Sequence, residues 1–279
     1  MNQKTEKIHK AKPVKKKINP NPVAYDIFAP YYDHYMKHVD YDKWTDKILE
    51  LYALHTSAKL KDVLELACGT ASISERLVQK GYSVTASDRS VEMIKYAGQK
   101  KNKPKLIQAD MTSELPANSY DMIILVFDSI NYLLTNKEIS TMFNNVHLAL
   151  RKNGVFIFDI STYKNSQDNF KDYINLDETN DHMLIHQADF DSDNRLQKTK
   201  LTIFKRSDNH YIRMDEEHLQ RVYSVQEILA LSEKSSLNCV GIYSLFYPKN
   251  LLKINYRKLD HQYSRLFFVL KKLKDADQT

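Results

Sequence analysis

The alternation of apolar and polar positions divides the chain into three kinds of stretch. Between residues 62 and 160, apolar runs of strand length recur, separated by segments with apolar residues at helical spacing. The sharpest unit is Asp62-Val-Leu-Glu-Leu-Ala-Cys-Gly-Thr-Ala-Ser72. Val63, Leu64 and Leu66 predict a buried strand, Gly69 a permissive turn, and Ser72 to Lys80 an amphipathic helix stopped at Gly81. Further apolar runs end at Asp88, Asp110 and Asp128, at successive intervals of 23, 22 and 18 residues counted from Glu65. Those lengths suit repeated strand-helix or strand-loop units. The pattern predicts an α/β fold with a Rossmann-like, doubly wound sheet, its four acids gathered at the carboxyl ends of the strands, where such sheets bind ligands.

The flanking stretches read differently. Residues 23 to 36 are rich in aromatics at helical spacing around Pro30, which breaks or starts a helix, and a second helix runs from about Tyr41 to Leu54. Tyr25 and Tyr35 read as core residues of this pair. From 161 to 223 the strand-helix alternation stops, and three strands are predicted over 183–190, 197–206 and 210–223, joined by Asp/Ser/Asn turns into an antiparallel insertion. In the third, period-two alternation puts His218 and Gln220 on one face and Arg221 and Tyr223 on the other. Ser224 and Glu227 form a capping box opening a helix to about Ser236, and 240–246 and 264–270 read as an antiparallel final pair of strands.

Charge changes the picture only at the ends. The net charge is +6, and residues 1–22 hold seven lysines against one glutamate, so that tail accounts for the whole excess. It reads as a disordered basic tail, and the fold proper has no basic excess with which to grip nucleic acid. The longest apolar run found, Met122 to Phe127, is far short of a membrane span, and nothing at the amino terminus resembles a secretory signal. Cys68 and Cys239 are the only cysteines, and no histidine shows metal-ligand spacing, so a soluble cytoplasmic protein without a disulfide framework or metal is expected.

The ligand's charge can be argued from the first strand-turn unit. A pyrophosphate loop wants three glycines and no carboxylate. Here the three positions are Ala67, Gly69 and Ala71, and Glu65 sits at the strand end. A carboxylate there repels pyrophosphate and favours a ligand carrying ammonium or sulfonium, namely S-adenosyl-L-methionine. Asp88, after the second strand, is placed to accept both hydroxyls of a ribose. Glu-Leu-Ala-Cys-Gly-Thr-Ala resembles the first motif of the class I S-adenosylmethionine-dependent methyltransferases. Ser-Asp-Arg-Ser-Val-Glu-Met-Ile (87–94) is similar to that family's ribose segment, Gln-Ala-Asp-Met (108–111) to its adenine segment, and 150–159 to the fifth strand and its approach. Ala71 departs from the usual last glycine.

The resemblance implies a seven-stranded methyltransferase sheet from 57–160 and 224–279, a helical lid over 23–56, and the insertion at 161–223 as acceptor-pocket wall or homodimer contact, as in sugar N-methyltransferases. It implies a cofactor site of Tyr32, Glu65, Ala67, Gly69, Asp88, Arg89, Asp110, Met111 and Phe127. Acceptor chemistry then falls to His218, Asp128 and Tyr132, and the expected reaction is methylation of a nitrogen or oxygen of a small molecule. The segment after the fourth strand lacks the Pro-Pro-aromatic element of amine-directed nucleic-acid methyltransferases, and neither cysteine suits carbon-5 cytosine methylation. The rival readings are an RNA methyltransferase using the basic tail, and a non-catalytic cofactor-binding protein suggested by Ala71.

Overall fold

Pro30 sets the start of the first helix, where a missing N–H and a fixed φ do no harm. The structure is a computed structural model in which residues 24–245, 249–253 and 256–272 are described. The basic tail expected over 1–22, the end of the strand expected over 240–246 and the residues past 272 lie outside them. Helix α1 spans Ala29–Tyr35 and α2 spans Tyr41–His55, with Asp40 capping α2 by accepting from the Lys43 N–H at 3.0 Å. Strand and helix then alternate as β1 (Asp62–Leu66), α3 (Ser72–Gln79), β2 (Ser83–Asp88), α4 (Val91–Ala97), β3 (Lys105–Gln108), β4 (Tyr120–Leu125), α5 (Asn136–Ala149) and β5 (Leu150–Ser161). A short α6 (Tyr163–Asn169) leads into β6 (Tyr173–Glu178), β7 (His182–Asp191), β8 (Leu196–Ser207) and β9 (His210–Arg221). The chain closes with α7 (Val225–Lys234), β10 (Leu237–Tyr243), α8 (Leu259–Gln262) and β11 (Arg265–Lys272).

The larger sheet has seven strands in the order β10-β11-β5-β4-β1-β2-β3, and the smaller has four in the order β6-β7-β8-β9. In the larger sheet β1 pairs in parallel with both β2 and β4, while β11 runs antiparallel between β5 and β10. The sheet is therefore α/β, mixed and doubly wound. Its strand order reverses between β1 and β4, which opens a crevice at their carboxyl ends.

Both faces of the central strands are buried, which is why they read as continuous apolar runs. Leu64, Leu66, Ile123, Leu125, Phe156 and Phe158 pack under α5 and α7, and the intervening Val63, Met122, Ile124, Val155 and Ile157 pack under α2 and α3. Side-chain alternation along each strand thus supplies two cores from one sheet.

Three differences from the sequence reading have physical causes. The small sheet has four strands, not three. In β6 the polar positions Tyr173, Asn175 and Asp177 face a cavity, while Ile174 and Leu176 are exposed at 67% and 56%, an inversion of the usual pattern in a segment where Asn, Asp and Glu weaken the strand signal. The strand expected over 240–246 begins earlier, at Leu237, because Ser236 takes a left-handed turn (φ 55°) directly after α7. Tyr25 packs against the core cluster of Phe28, Leu184, Leu201 and Ile203, but from a turn ahead of α1 rather than from a helix, and it also stands at the boundary between two cavities, as described next.

Candidate active site

The turn after β1 carries left-handed backbone at each of the three glycine-like positions, with φ of 48° at Ala67, 54° at Gly69 and 60° at Ala71. Glycine adopts this freely, while each alanine there costs about 1 kcal/mol. Ala71 is fully buried as well, so its position asks for small size and a rare conformation together. At Gly69 a Cβ would meet only the Tyr32 ring, 4.0 Å away, which leaves the space above the turn open to a ligand.

The acids are placed by different means. Glu65 is buried, and its Oε2 accepts from the backbone N–H of Ser74 at 3.0 Å and from the Ser74 hydroxyl, near the start of α3. Burial pushes its carboxyl up to about 7, with the Ser74 donors pulling the other way. Asp88 accepts from the N–H of Gly69 and of Ser90, both at 2.8 Å, so it ties the first turn to the second. Burial also raises the Asp88 carboxyl, against those amide donors. The Ser90 hydroxyl caps α4 and donates to Asp26 at 2.7 Å. Asp110 accepts from the N–H and hydroxyl of Thr112, and Arg89 approaches its other oxygen at 3.9 Å.

A cavity of about 230 Å³ lies over these turns, and Tyr32, Glu65, Ala67, Gly69, Asp88, Arg89, Asp110, Met111 and Phe127 all line it. The nine residues assigned to the cofactor from the sequence are thus brought to one place. Tyr41, which the sequence reading passed over, lines the same cavity, and its buried hydroxyl has no hydrogen-bond partner among the described residues.

A second cavity, about 820 Å³, lies between the amino-terminal helices, the end of β4 and the concave face of the small sheet. Tyr25, Tyr32, Phe127 and Tyr132 line both cavities and form the wall between them. Phe127 and Asp128 are consecutive left-handed residues (φ 59° and 51°), and the turn they make lays Phe127 flat on Trp44, ring centres 4.2 Å apart. His218, Asp128 and Tyr132 also line this second cavity, as does Gln220 from the same face of β9 as His218. Arg221 and Tyr223 point elsewhere, to Glu227 and to the carbonyl of Leu133.

Two networks surround the three acceptor-side candidates. The Tyr25 and Tyr132 hydroxyls are 2.8 Å apart, and the Tyr132 hydroxyl is 3.0 Å from His218 Nδ1. Burial raises both phenols well above their ordinary range, so neither ionises readily. Asp128, by contrast, is fully engaged: Arg265 Nη2 lies 2.7 Å from one oxygen and Gln220 donates to the other at 2.8 Å. Arg265 bridges to the buried Asp159 too. Arg265 has no sequence motif; only its place at the start of the last strand, beside the ends of β4 and β5, brings it here.

Burial pushes the Cys239 thiol up to about 12 and raises the Cys68 thiol well above its ordinary range, which leaves neither a reactive thiolate. Among the described residues no helix is long and apolar enough to cross a membrane, and no group of three or more His, Cys, Asp or Glu could hold a metal ion.

Acids at the carboxyl ends of the parallel strands, a glycine-centred turn and two cavities sharing one wall give the chain the form of an α/β ligand-binding enzyme. Comparison with known proteins agrees. Residues 63–154 match the family described as methyltransferase domain. A Bacillus subtilis (strain 168) protein named "Putative methyltransferase YqeM" is 34% identical over 212 residues, covering 74% of this chain and 83% of that one. A crystal structure of an S-adenosylmethionine-dependent methyltransferase from Clostridium acetobutylicum superimposes with a TM-score of 0.73 at 28% identity, covering 88% of this chain and 98% of that one. The sugar N-methyltransferase KedS8 from Streptoalloteichus shares the fold, with a TM-score of 0.72 at 14% identity over 95% of this chain and all of that one. The chain belongs to the class I S-adenosylmethionine-dependent methyltransferase family, and S-adenosyl-L-methionine is its cofactor.

Proposed function

We propose that this methyltransferase acts on a nitrogen or oxygen of a small polar acceptor held in the 820 Å³ cavity, with His218 as the group that receives the acceptor's proton. The observation that carries the reading is the shared wall of Tyr25, Tyr32, Phe127 and Tyr132, which brings the acceptor cavity directly against the cofactor cavity. A cavity of this size suits a small molecule. Its lining includes Asp128, Asp168 and Asp177 against Arg265, a balance that disfavours a polyanion such as RNA and suits a neutral or cationic acceptor.

The residues of the first cavity fit the cofactor. Asp88 would hold the ribose hydroxyls, Met111 would pack on the adenine beside Asp110 and Arg89, and Glu65 with the unpartnered Tyr41 hydroxyl would face the amino-acid end. When bound, S-adenosylmethionine supplies a methyl carbon on a sulfonium, open to in-line displacement with a neutral thioether as leaving group. The protein's share is to hold the acceptor in line and exclude water, with the aromatic wall doing both. Asp128 is tied to Arg265 and Gln220 and serves better as an orienting group than as a base.

A screen of amine- and hydroxyl-bearing small molecules with the intact enzyme is expected to return a methylated product, and His218→Asn is expected to lower kcat on it by about 10²–10⁴-fold with cofactor affinity kept. Unchanged kcat removes His218 from the chemistry; methyl transfer to RNA alone overturns the small-molecule reading.

The raised carboxyl of Glu65 gives a pH signature. Its ordinary value is 4.5, so between there and about 7 the folded chain binds a proton that the unfolded chain has released. This contribution to stability is present at the low end and is lost as pH rises through 7. A cationic ligand beside Glu65 favours the ionised form, so cofactor binding near pH 7 is expected to release a proton and to tighten as pH rises. Calorimetry in two buffers of different ionisation enthalpy reads the release, and Glu65→Gln should abolish it.

A further inference from the structure

Glu216 on β9 was not singled out in the sequence, and it is the most heavily engaged carboxylate beside the acceptor cavity. It is 1% exposed, and every partner it has is near the shared wall. Its Oε1 accepts from the backbone N–H of Tyr25 at 2.8 Å, and its Oε2 accepts from those of Ile27 at 2.7 Å and Phe28 at 3.2 Å. Three backbone amides from one segment converge on one side chain of the small sheet. The same Oε1 lies 2.8 Å from His218 Nε2, out of line for a hydrogen bond but at ion-pair distance, and that nitrogen has no other partner among the described residues.

The segment so held is strained and central. Tyr25 has φ of 73°, a left-handed conformation that a bulky residue keeps only where its surroundings impose it. Its ring sits edge-on to His218 with centres 4.6 Å apart, and its hydroxyl begins the chain Tyr25, Tyr132, His218 Nδ1. Glu216 and His218 are two residues apart on one strand face, so the carboxylate closes a ring: through the Tyr25 amide, the two phenols, the imidazole and back. One residue further, Asp26 accepts from Ser90, whose own amide is held by Asp88. The strap of residues 24–28 is thus anchored to the small sheet by Glu216 and to the second turn of the large sheet by Ser90.

We infer that Glu216 is a positioning residue that straps residues 24–28 across the boundary of the two cavities and, with the same carboxylate, holds the charge that His218 acquires when a proton reaches it. The inference rests on the reading of His218 as proton acceptor. With the cofactor bound, the bond from methyl carbon to acceptor atom would form as the carbon–sulfur bond breaks with its electron pair left on sulfur, and this chain's residues take up the acceptor's proton. The acceptor's proton goes to the Tyr25 oxygen, the Tyr25 proton to the Tyr132 oxygen, and the Tyr132 proton to His218 Nδ1. The imidazolium then faces Glu216. The titratable groups around that imidazole are Glu216 on its own strand, Tyr25 of the strap, Tyr132 and Asp128 after β4, and His186 on β7.

The test needs no acceptor. Hydrogen–deuterium exchange and ring ¹⁵N spectra of His218 at one fixed pH are measured on the full chain as wild type, Glu216→Gln and Glu216→Asp. In Glu216→Gln one acceptor oxygen remains for three amides and the charge is gone. The amides of Tyr25, Ile27 and Phe28 are expected to exchange at least ~10-fold faster and the His218 Nε2 resonance to move, while amides of β1, β4 and β5 keep their protection. Glu216→Asp keeps the charge on a shorter stem, so its Nε2 resonance should stay nearer to wild type while the strap amides speed up. Wild-type exchange at Tyr25, Ile27 and Phe28, or an unmoved Nε2 resonance in Glu216→Gln, overturns the inference. Failure of the parent reading looks different: full methyl transfer by His218→Asn, with the exchange and spectral results unaffected.

Discussion

Arg265→Met is expected to lower folding stability by about 3–5 kcal/mol at pH 8, the scale for stripping a buried ion pair of one partner. Arg265 holds Asp128 at the carboxyl end of β4 and Asp159 inside β5, and Asp159 is fully buried. Burial already pushes the Asp159 carboxyl up to about 6 with the guanidinium beside it. An acid raised above its unfolded value favours the folded state at low pH and loses that contribution as pH rises through 6. Without Arg265 the Asp159 carboxyl is pushed higher still, so at pH 8 the buried group must either carry an uncompensated charge or take up a proton, whereas an already protonated Asp159 asks for no counter-ion. Urea denaturation at pH 8 and pH 5 should therefore show a much smaller loss at pH 5. An equal loss at both would assign the effect to packing of the guanidinium on Trp44 instead.

Asp88→Ala is expected to weaken binding of S-adenosylhomocysteine by about 30-fold or more, corresponding to about 2 kcal/mol. The carboxylate has two duties in the structure: it joins the Gly69 and Ser90 amides across the crevice, and it lines the cofactor cavity as proposed ribose ligand. Its removal leaves two amide donors and the sugar hydroxyls without their acceptor, and loosens the turn over which the cofactor lies. Isothermal calorimetry reads the change. Affinity equal to wild type would take Asp88 out of the site.

How much of this was legible in the chain depended on whether a residue's role was local. Val63, Leu64, Leu66 and Gly69 specify a strand and a turn among near neighbours, and the acids at regular intervals announced the crevice, so the sheet and the ends of its strands could be read from spacing. Glu216 and Arg265 act on partners roughly 190 and 137 or 106 positions away in the chain, at residues 25–28, 128 and 159. No periodicity encodes such pairings; they arise when β9 and β11 are brought beside the ends of β4 and β5. For Tyr25 the core contact was legible and the place between the cavities was not, for a related reason. Aromatics at helical spacing usually fill a core, but this one lies before α1 in a left-handed turn, where spacing has no meaning. β6 was lost because its polar residues face inward toward the cavity.

The wall of four aromatics has a consequence for altering what the enzyme accepts. Since Tyr25, Tyr32, Phe127 and Tyr132 each touch both chambers, enlarging or reshaping the partition from one side also disturbs the donor on the other. Positions that line the larger chamber alone, among them Phe170, Tyr173 and Asn175, can be changed without touching the partition. If the larger chamber holds the acceptor as proposed, variation between related enzymes with different acceptors should concentrate on residues that line that chamber alone rather than on the partition.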